Sequence, residues 1–439
     1  MEDAYIVHGG NKIEGKVTVS GAKNLALKTI IASLLFESPV TLTNVPAIND
    51  VHELIHVIKG LGSTVTVDHG TVTIDPTTTT SNKPDLLHAS MLRASFLLFA
   101  PLLHRFQTCF IPNPGGCRIG QRPIDRIVSG MEALGVRTTY HSEDGYYEAT
   151  LSGSPSGRYR FEKPTHTGTE LMIMLAARGT EKVILENAAL EPEIDELIRF
   201  LNESGAHIER SCGTIEIQGV EKLTQPHAFR IFGDRNEAVT FASMALATRG
   251  SIEICDIDKS FMIEFDKRVL EAGASVEYTD NSIVYRYTQP LKSTSIVTEP
   301  HPGFMTDWQP NWAVLMTQAE GVSSIHETVF ENRFSYVEEL RKLGAKIEYA
   351  KPDEDADRVV YHFNAEDVRL EQQKIYIHGG QPLHEGVLKI ADLRAGATLM
   401  IAALLAPGET IISNASILER GYENIVEKIT ALGGSIKRV

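Results

Sequence analysis

The chain has 439 residues, of which 42% are hydrophobic and 23% charged, and its formal net charge is −15. This length exceeds one ordinary hydrophobic core, so two or more domains are expected. The acidic balance disfavours nucleic acid and anionic membrane surfaces as partners, so an anionic ligand would need local clusters of basic residues.

The ends and the cysteines bear on location. The opening MEDAYIVHGG has no basic leader and no apolar stretch, which predicts that there is no signal peptide. The longest apolar run, LMIAALLA, is too short to span a membrane. The cysteines lack C-x-x-C spacing, which indicates free thiols in a reducing cytoplasm; they are Cys109, Cys117, Cys212 and Cys255. We therefore expect a cytoplasmic protein with no metal and no cofactor.

Six amphipathic helices, each ending in a glycine and followed by a short strand, recur along the chain. In chain order they are VHELIHVIKGLGSTVTV, DRIVSGMEALGVRTTY, IDELIRFLNESGAHIE, MIEFDKRVLEAGASVEY, YVEELRKLGAKIEY and YENIVEKITALGGSIK. Their glycines are Gly62, Gly135, Gly205, Gly273, Gly344 and Gly433. The intervals of 73, 70, 68, 71 and 89 residues are too even for unrelated helix caps, so we predict six internal repeats. The longest interval holds a charged insert around KPDEDADR.

A second, more apolar helix precedes each of these amphipathic helices. In chain order these helices are NLALKTIIASLLF, MLRASFLLFAPLL, TELMIMLAA, EAVTFASMALA, NWAVLMTQA and RAGATLMIAALLA. Because they are apolar on most faces, they should be buried. The pattern predicts an α/β protein of two domains, each with three repeats wrapped around a helical core. We place the domains at residues 23–232 and at residues 1–22 together with 233–439.

Charged and polar residues gather where the buried helices begin. In helix order they are Lys23 with Asn24, Arg93, Lys163 to Gly168, Asp234 with Arg235, Asp307, and Asp392 with Arg394. The acidic residues are explained equally well as helix caps. The cations Lys23, Arg93 and Arg394 oppose the helix dipole, so each should have an anionic partner. Helix N-termini also suit anionic ligands, which makes these ends a candidate binding cleft.

The loop PGGCRIGQRPID, residues 114–125, places Cys117 between glycines and two arginines. Glycines let such a loop close over a site, and Arg118 and Arg122 should favour the thiolate of Cys117. This composition is a poor core environment, so Cys117 is a candidate reactive thiol. The other three cysteines lie in strand-like apolar runs and are expected to be inert.

Several motifs together resemble the UDP-N-acetylglucosamine 1-carboxyvinyltransferase family of enolpyruvyl transferases. They are SGAKN, PGGCRIGQRPID, PHPGFMTDWQ, ETVFENRF, ADLRAGA and ERGYE, in the family's order from residue 6 to the end. The resemblance implies a two-domain inside-out α/β barrel with its active site in the interdomain cleft. It also implies transfer of enolpyruvyl from phosphoenolpyruvate to the 3′-hydroxyl of the UDP-sugar, which is the first committed step of peptidoglycan synthesis and the target of fosfomycin. No obligatory protein partner is expected.

The resemblance also implies roles for individual residues. Cys117 falls on the proton donor that can bond covalently to phosphoenolpyruvate, and Asp307 on the base for the sugar hydroxyl. Contacts to phosphoenolpyruvate are implied for Lys23, Arg122 and Arg420, with Arg93 and Arg394 close by. Contacts to the UDP-sugar, or positions in the same cleft, are implied for Asn24, Arg122, Pro123, Ile124, Asp125, Arg126, Lys163, Thr165, His166, Gly168, Asp234, Asp307, Val329 and Glu331.

The sequence departs from the family pattern in places. PTHTG follows Lys163 where the family usually has Ser-Val-Gly, and TDWQPNW, with Trp308 and Trp312, stands in place of the family's usual TD-[LM]-QAQ. Three alternatives stay open. They are an enolpyruvyl transferase for another nucleotide acceptor, the shikimate-pathway enzyme, which Cys117 and TVFENRF disfavour, and a non-catalytic UDP-sugar sensor.

Overall fold

The computed structural model describes residues 3–115, 124–352, 359–363 and 370–439. These residues form two compact units, which we call the first unit, residues 21–115 and 124–232, and the second unit, residues 3–20 and 233–439. The assignment of domains to residues 23–232 and to 1–22 with 233–439 stays a prediction. No helix in the described part of the chain is both long enough and apolar enough to cross a membrane.

The helices are α1 Lys23–Ala32, α2 Asn49–Gly60, α3 Leu86–Met91, α4 Phe99–Phe106, α5 Asp125–Ala133, α6 His166–Ala177, α7 Pro192–Glu203, α8 Arg235–Ala247, α9 Ile263–Glu271, α10 Gln309–Met316, α11 Val337–Lys342, α12 Leu393–Leu405 and α13 Ile425–Ala431. The strands are β1 Ala4–Gly9, β2 Gly15–Thr18, β3 Val40–Thr43, β4 Thr64–Asp68, β5 Thr71–Asp75, β6 Thr108–Pro112, β7 Val136–His141, β8 Tyr146–Leu151, β9 Gly157–Arg160, β10 Lys182–Glu186, β11 His207–Ser211, β12 Thr214–Gln218, β13 Phe229–Arg230, β14 Ser251–Cys255, β15 Ser275–Tyr278, β16 Ser282–Arg286, β17 Ser295–Val297, β18 Val322–His326, β19 Lys346–Ala350, β20 Lys374–His378, β21 Val387–Lys389, β22 Gly408–Ser413 and β23 Ser435–Arg438.

The described strands form three small sheets in each unit. In the first unit their orders are β13-β3-β5-β4, β6-β8-β7 and β11-β12-β10-β9, and in the second unit β15-β16-β14-β2, β17-β18-β20-β19 and β21-β22-β1-β23. In most sheets a short strand pairs in parallel with the strand that follows a core helix, and a hairpin completes the sheet. Strand β1 lies between β22 and β23, so the N-terminal strand completes the sheet of the last repeat.

Each unit has its own hydrophobic core, built around three apolar helices. In the second unit these are α8, α10 and α12, which contact one another. In the first unit α1, α4 and α6 fill the same role. Each amphipathic helix then covers a sheet with one face, as α2 does with Val51, Leu54, Ile55 and Ile58. Burying a side chain of this size contributes about 1.5–3 kcal/mol, so these helices hold the sheets to the core.

The six repeat glycines all end their helices in the left-handed conformation, with φ between 91° and 104°. An L-residue with a side chain is strained there, which is why each repeat has glycine at this point.

A second repeated feature was not predicted from the sequence. The residue after the middle strand has positive φ in four repeats; these residues are Asn44, Asn187, Asp256 and Asn414. The three asparagines donate side-chain hydrogen bonds to carbonyl oxygens near the starts of the core helices.

The chain passes from one unit to the other near residues 20–22 and again near residues 232–234. On each side of these crossings, a backbone hydrogen bond joins the two stretches that belong to the same unit. In the first unit the Ala22 N–H donates to the Phe232 oxygen at 2.7 Å. In the second unit the Asp234 N–H donates to the Ser20 oxygen at 2.8 Å. A Cβ at Gly21 would lie 1.8 Å from the Asn44 oxygen, so no larger residue fits there without moving the backbone.

His104 predicts a pH-dependent stability. Its imidazole is largely buried and donates from Nε2 to the Leu175 oxygen at 2.7 Å, and burial lowers its pKa from 6.5 to about 4. The neutral form is favoured in the folded state, so this stability is fully present above pH 6.5 and is lost as the pH falls towards 4. The difference amounts to about 3 kcal/mol of unfolding free energy.

Urea unfolding at pH 7 and pH 4.5 should therefore show a smaller loss of stability in His104→Gln than in the wild type. Glutamine can still donate to the carbonyl but does not titrate. The matched control is His69→Gln, since the side chain of His69 is 97% exposed. Equal pH dependence in wild type and His104→Gln would show that His104 does not carry this effect.

Candidate active site

In the first unit, Lys23 is the first residue of α1 and is buried, with Nζ 2.6 Å from Oδ2 of Asp50. Asp50 lies in the first turn of α2 and is itself buried. The expectation that a cation at this helix start has an anionic partner is confirmed for Lys23. The pair places a positive group beside several N–H groups of the α1 N-terminus, which is an environment that attracts anions.

Other predicted site residues of this unit also lie at helix starts. Asn24 follows Lys23 in α1 and is partly buried, and Arg93 begins the 3₁₀ helix Arg93–Leu98. Ile124 and Asp125 lie at the start of α5, and the Arg126 oxygen accepts a hydrogen bond from the Tyr159 hydroxyl at 3.0 Å. The predicted residues Cys117, Arg122 and Pro123 lie outside the residues that the structure describes.

The PTHTG departure forms the N-terminus of α6. Thr165 caps the helix, because its hydroxyl accepts a hydrogen bond from the Gly168 N–H at 3.3 Å. His166 is the first residue of the helix, and its Nε2 lies 3.0 Å from Glu170 of the next turn. Glu170 is fully buried and also pairs with Lys28 of α1 at 2.9 Å. Lys163, partly buried, precedes this cap.

Two opposing effects act on the His166–Glu170 pair. Burial lowers the pKa of His166, but the adjacent Glu170 carboxylate outweighs it and the pKa is raised. Burial raises the pKa of Glu170, but His166 and Lys28 outweigh it and the pKa is lowered. His166, Glu170 and Lys28 thus form a buried charged group at the N-terminus of α6, whose free N–H groups suit anions.

In the second unit, Asp307 is a partly exposed carboxylate held between two arginines. Its side chain is 23% exposed, Oδ1 lies 2.6 Å from Nη2 of Arg333, and Oδ2 lies 3.1 Å from Nε of Arg394. Both guanidiniums favour the charged carboxylate and fix its orientation. Two predicted site residues, Asp307 and Arg394, are therefore in direct contact.

Asp392, predicted at the start of a buried helix, belongs to this cluster together with Arg333, which was not among the predicted site residues. Nη1 of the buried Arg333 lies 3.5 Å from Asp392, which also accepts from the Ser335 hydroxyl at 2.9 Å. Asp392 caps α12 through the N–H groups of Arg394 and Ala395. Arg333 lies within the ETVFENRF motif, so the motif indicated that this residue could belong to the site. Its contact with Asp392 could be identified only from the fold.

Asp234 serves as a cap as well. Its carboxylate accepts from the N–H groups of Asn236 at 2.7 Å and Glu237 at 3.3 Å. This geometry confirms that the residue caps α8, while its contact with a ligand stays a prediction. Val329 and Glu331 follow β18 and are partly buried, and Arg420 ends the 3₁₀ helix Ala415–Arg420.

Trp308 and Trp312 belong to the core of the second unit. Both are buried, and the Trp308 indole N–H donates to the Asn236 side-chain oxygen at 3.0 Å. Their rings meet those of Phe265 and Phe304 at centroid distances between 5.7 and 6.1 Å. The TDWQPNW departure is therefore a difference in packing, and it also ties the start of α8 to the start of α10.

The cysteines differ from one another. Cys109 is buried, and burial raises its pKa well above the ordinary value, as expected for an inert thiol. Burial also raises the pKa of Cys255, which is only partly buried. The expected place of Cys212 in a buried strand is wrong, because the residue is exposed and has a φ of 51°. Cys212 is the first residue of the turn between β11 and β12, and strand-like neighbours in the sequence do not distinguish a turn position from a buried one.

Comparison with known proteins gives the family of this chain. Residues 7–429 match the family described as EPSP synthase (3-phosphoshikimate 1-carboxyvinyltransferase). The whole chain is 36% identical over 440 residues to the UDP-N-acetylglucosamine 1-carboxyvinyltransferase of Idiomarina loihiensis, with 99% of that relative covered. It is 38% identical over 441 residues to the enzyme of that name from Trichlorobacter lovleyi, again with 99% covered.

Solved structures share the fold. The enolpyruvyl transferase NikO from Streptomyces tendae superposes with a TM-score of 0.85 at 24% identity, over 99% of this chain and 98% of that one. An EPSP synthase from Acinetobacter baumannii gives a TM-score of 0.73 at 17% identity, over 99% of both chains. The predicted α/β fold class is confirmed. The chain belongs to the EPSP synthase family of carboxyvinyltransferases and is a transferase.

Proposed function

We propose that this protein transfers the enolpyruvyl group of phosphoenolpyruvate to the 3′-hydroxyl of UDP-N-acetylglucosamine and releases phosphate, the first committed step of peptidoglycan synthesis. The observation that carries the proposal is the 36–38% identity, over the full length, to relatives that bear the name UDP-N-acetylglucosamine 1-carboxyvinyltransferase. The Asp307 cluster supports it, because this reaction needs a fixed carboxylate among cations.

The reaction can be written so that every proton has a place. Asp307 takes the proton of the sugar hydroxyl, whose oxygen bonds to C2 of phosphoenolpyruvate while C3 gains a proton from an acid, for which we propose Cys117. In the second step the Cys117 thiolate takes a proton from C3 of the tetrahedral adduct, the bond from C2 to the phosphate oxygen breaks, and phosphate leaves with the proton held by Asp307. Lys23, Arg122 and Arg420 would hold the phosphate and carboxylate, and they raise the rate only if they bind the adduct more tightly than the substrate.

The experiment that tests the proposal is phosphate release from phosphoenolpyruvate with a panel of acceptors. We expect release with UDP-N-acetylglucosamine and none with shikimate 3-phosphate or UMP, in the presence of a chelator as well as without one. Release stimulated by another nucleotide sugar alone would favour the other-acceptor alternative, which the PTHTG departure motivates. No release with any acceptor would favour a binding protein.

The loop thiol gives a second test, since fosfomycin is an epoxide phosphonate that needs a nucleophilic thiolate next to cations. We expect one adduct by intact mass, mapping to the peptide that contains Cys117. The matched control is Cys212→Ser, which removes the exposed thiol and should leave the adduct unchanged. An adduct on Cys212, or no adduct after long incubation, would contradict the role proposed for Cys117.

A further inference from the structure

The fifth repeat carries a long insert in place of a hairpin turn. Four other repeats join the equivalent strands through residues 69–70, 142–145, 212–213 and 279–281, whereas β19 and β20 are joined by residues 351–373. A hairpin needs only two to five residues, and connections this long are usually functional or disordered. We call residues 351–373 the insert segment, of which the structure describes 351–352, 359–363 and 370–373.

The described part of the insert segment contacts the turn that follows β18, residues 327–331, here called the β18 turn. The His362 N–H donates to the Thr328 oxygen at 2.8 Å. The Gln373 side-chain amide donates to the Glu331 oxygen at 2.7 Å, and the Gln373 oxygen accepts from the Glu327 N–H at 2.8 Å. These hydrogen bonds join the insert segment to the first, second and last residues of the β18 turn, which are Glu327, Thr328 and Glu331.

Aromatic side chains of the insert segment also pack at the end of β18. The Tyr361 hydroxyl lies 2.8 Å from Nε2 of His326, the last residue of β18, and the two rings meet edge to face at 5.6 Å. Phe363 is buried and packs against Tyr361 with ring centroids 5.1 Å apart. These contacts cover apolar surface, so the described insert residues have a definite packed position on the repeat.

Glu327, the first residue of the β18 turn, stabilises the turn through its own side chain. It stands where four other repeats have the positive-φ Asn or Asp, and it is fully buried. Its carboxylate accepts from the Val329 and Phe330 N–H groups and from the hydroxyls of Thr298 and Thr306. Thr306 directly precedes Asp307, so the same carboxylate connects the β18 turn to the Asp307 segment.

We propose that the described residues of the insert segment, 359–363 and 370–373, form a positioning element of the acceptor site: through Tyr361, which contacts the end of β18, and Gln373 they fix the β18 turn, and thereby set the affinity for the sugar nucleotide. The inference rests on the proposed function, because it takes Val329 and Glu331 as acceptor contacts. The residues of the insert segment act through the turn and do not touch the reacting atoms. Their loss should therefore weaken acceptor binding without slowing the chemical step.

The test is steady-state kinetics of the double variant Tyr361→Phe with Gln373→Leu. Both changes are close in size and remove one hydrogen bond each, so the fold should be retained. We expect KM for UDP-N-acetylglucosamine to rise about tenfold, since each of the two lost hydrogen bonds weakens the interaction by a factor of about three. The values of kcat and of KM for phosphoenolpyruvate should stay within about twofold. An unchanged KM for the sugar nucleotide, or an equal loss in kcat, would overturn the inference.

The matched control is Tyr278→Phe, which removes a hydrogen bond of 2.8 Å to Asp266 in the fourth repeat and should leave all three kinetic constants unchanged. Amide exchange gives a readout that does not depend on activity: the Val329 and Phe330 amides should exchange at least about fivefold faster in the double variant. If the wild type does not use UDP-N-acetylglucosamine, the proposed function fails, and unchanged exchange at these amides would also overturn the positioning role.

Discussion

Replacing Asp307 by asparagine should lower kcat by about 10²- to 10⁴-fold, the usual contribution of a positioned general base. Asparagine keeps the size of the side chain and one oxygen for Arg333 or Arg394, but it cannot take the proton of the sugar hydroxyl. The carboxylate lies 2.6 Å and 3.1 Å from these two guanidiniums, so its position does not depend on the substrate. Rapid-quench measurement of phosphate release separates this loss in the chemical step from a loss in binding.

The control for this variant is Asp266→Asn. Asp266 also accepts two hydrogen bonds within the second unit, from Tyr278 and Tyr285, and burial raises its pKa to about 6. It lies outside the proposed site, so its replacement should alter thermal stability and leave kcat unchanged. An Asp307→Asn enzyme with kcat within about tenfold of the wild type would show that another group is the base.

Replacing Lys23 by methionine should lower kcat/KM by about a hundredfold or more, which corresponds to about 3 kcal/mol of transition-state stabilisation. Methionine fills the same space but removes the charge that we propose for the reacting phosphate. The loss should appear for every acceptor that the enzyme uses, because it concerns the phosphoenolpyruvate side of the reaction. The measurement is kcat/KM for phosphoenolpyruvate at saturating acceptor.

The chain offers a matched control in the same helix. Lys28 is another buried lysine of α1, paired with Glu170 as Lys23 is paired with Asp50. Breaking a buried pair costs about 3–5 kcal/mol of unfolding free energy in either case, so both variants should be destabilised. Lys23→Met should additionally lose activity while folded, whereas Lys28→Met should not. Equal kinetic losses in the two variants would mean that Lys23 acts only through stability.

Much of the fold was predictable because it repeats. One glycine at a helix end has many explanations, but evenly spaced glycines identify a repeated unit, and the left-handed φ of all six confirms the local geometry. The buried helices were equally clear, since they lack a polar face. The positive-φ asparagines were missed because a single Asn after a strand is an ordinary turn signal. Only their contacts with distant carbonyls show what they do.

The contact partners of the predicted site residues could not be identified from the sequence. Opposition between a cation and a helix dipole correctly implied an anion near Lys23, but Asp50 could not be chosen from the sequence. Three polar residues owe their roles to contacts with residues far away in the sequence, and no local pattern distinguishes them from caps or surface charges. They are Arg333, Asp392 and Glu327. Trp308 and Trp312 show the converse error, because a departure from a motif near the site proved to be core packing.

The place of β1 between β22 and β23 bears on the order in which the protein can be made. The Ala4 N–H donates to the Val439 oxygen at 3.1 Å, and the Val439 N–H donates to the Ala4 oxygen at 2.9 Å. Because β1 is synthesised long before β22 and β23, it must wait for the strands that flank it in the folded protein. All residues of the first unit, 21–115 and 124–232, are translated before residues 233–439, so this unit can collapse while the second is still being translated. During that interval the apolar face of β1, with Tyr5 and Val7, is without the sheet and core that bury it in the folded protein.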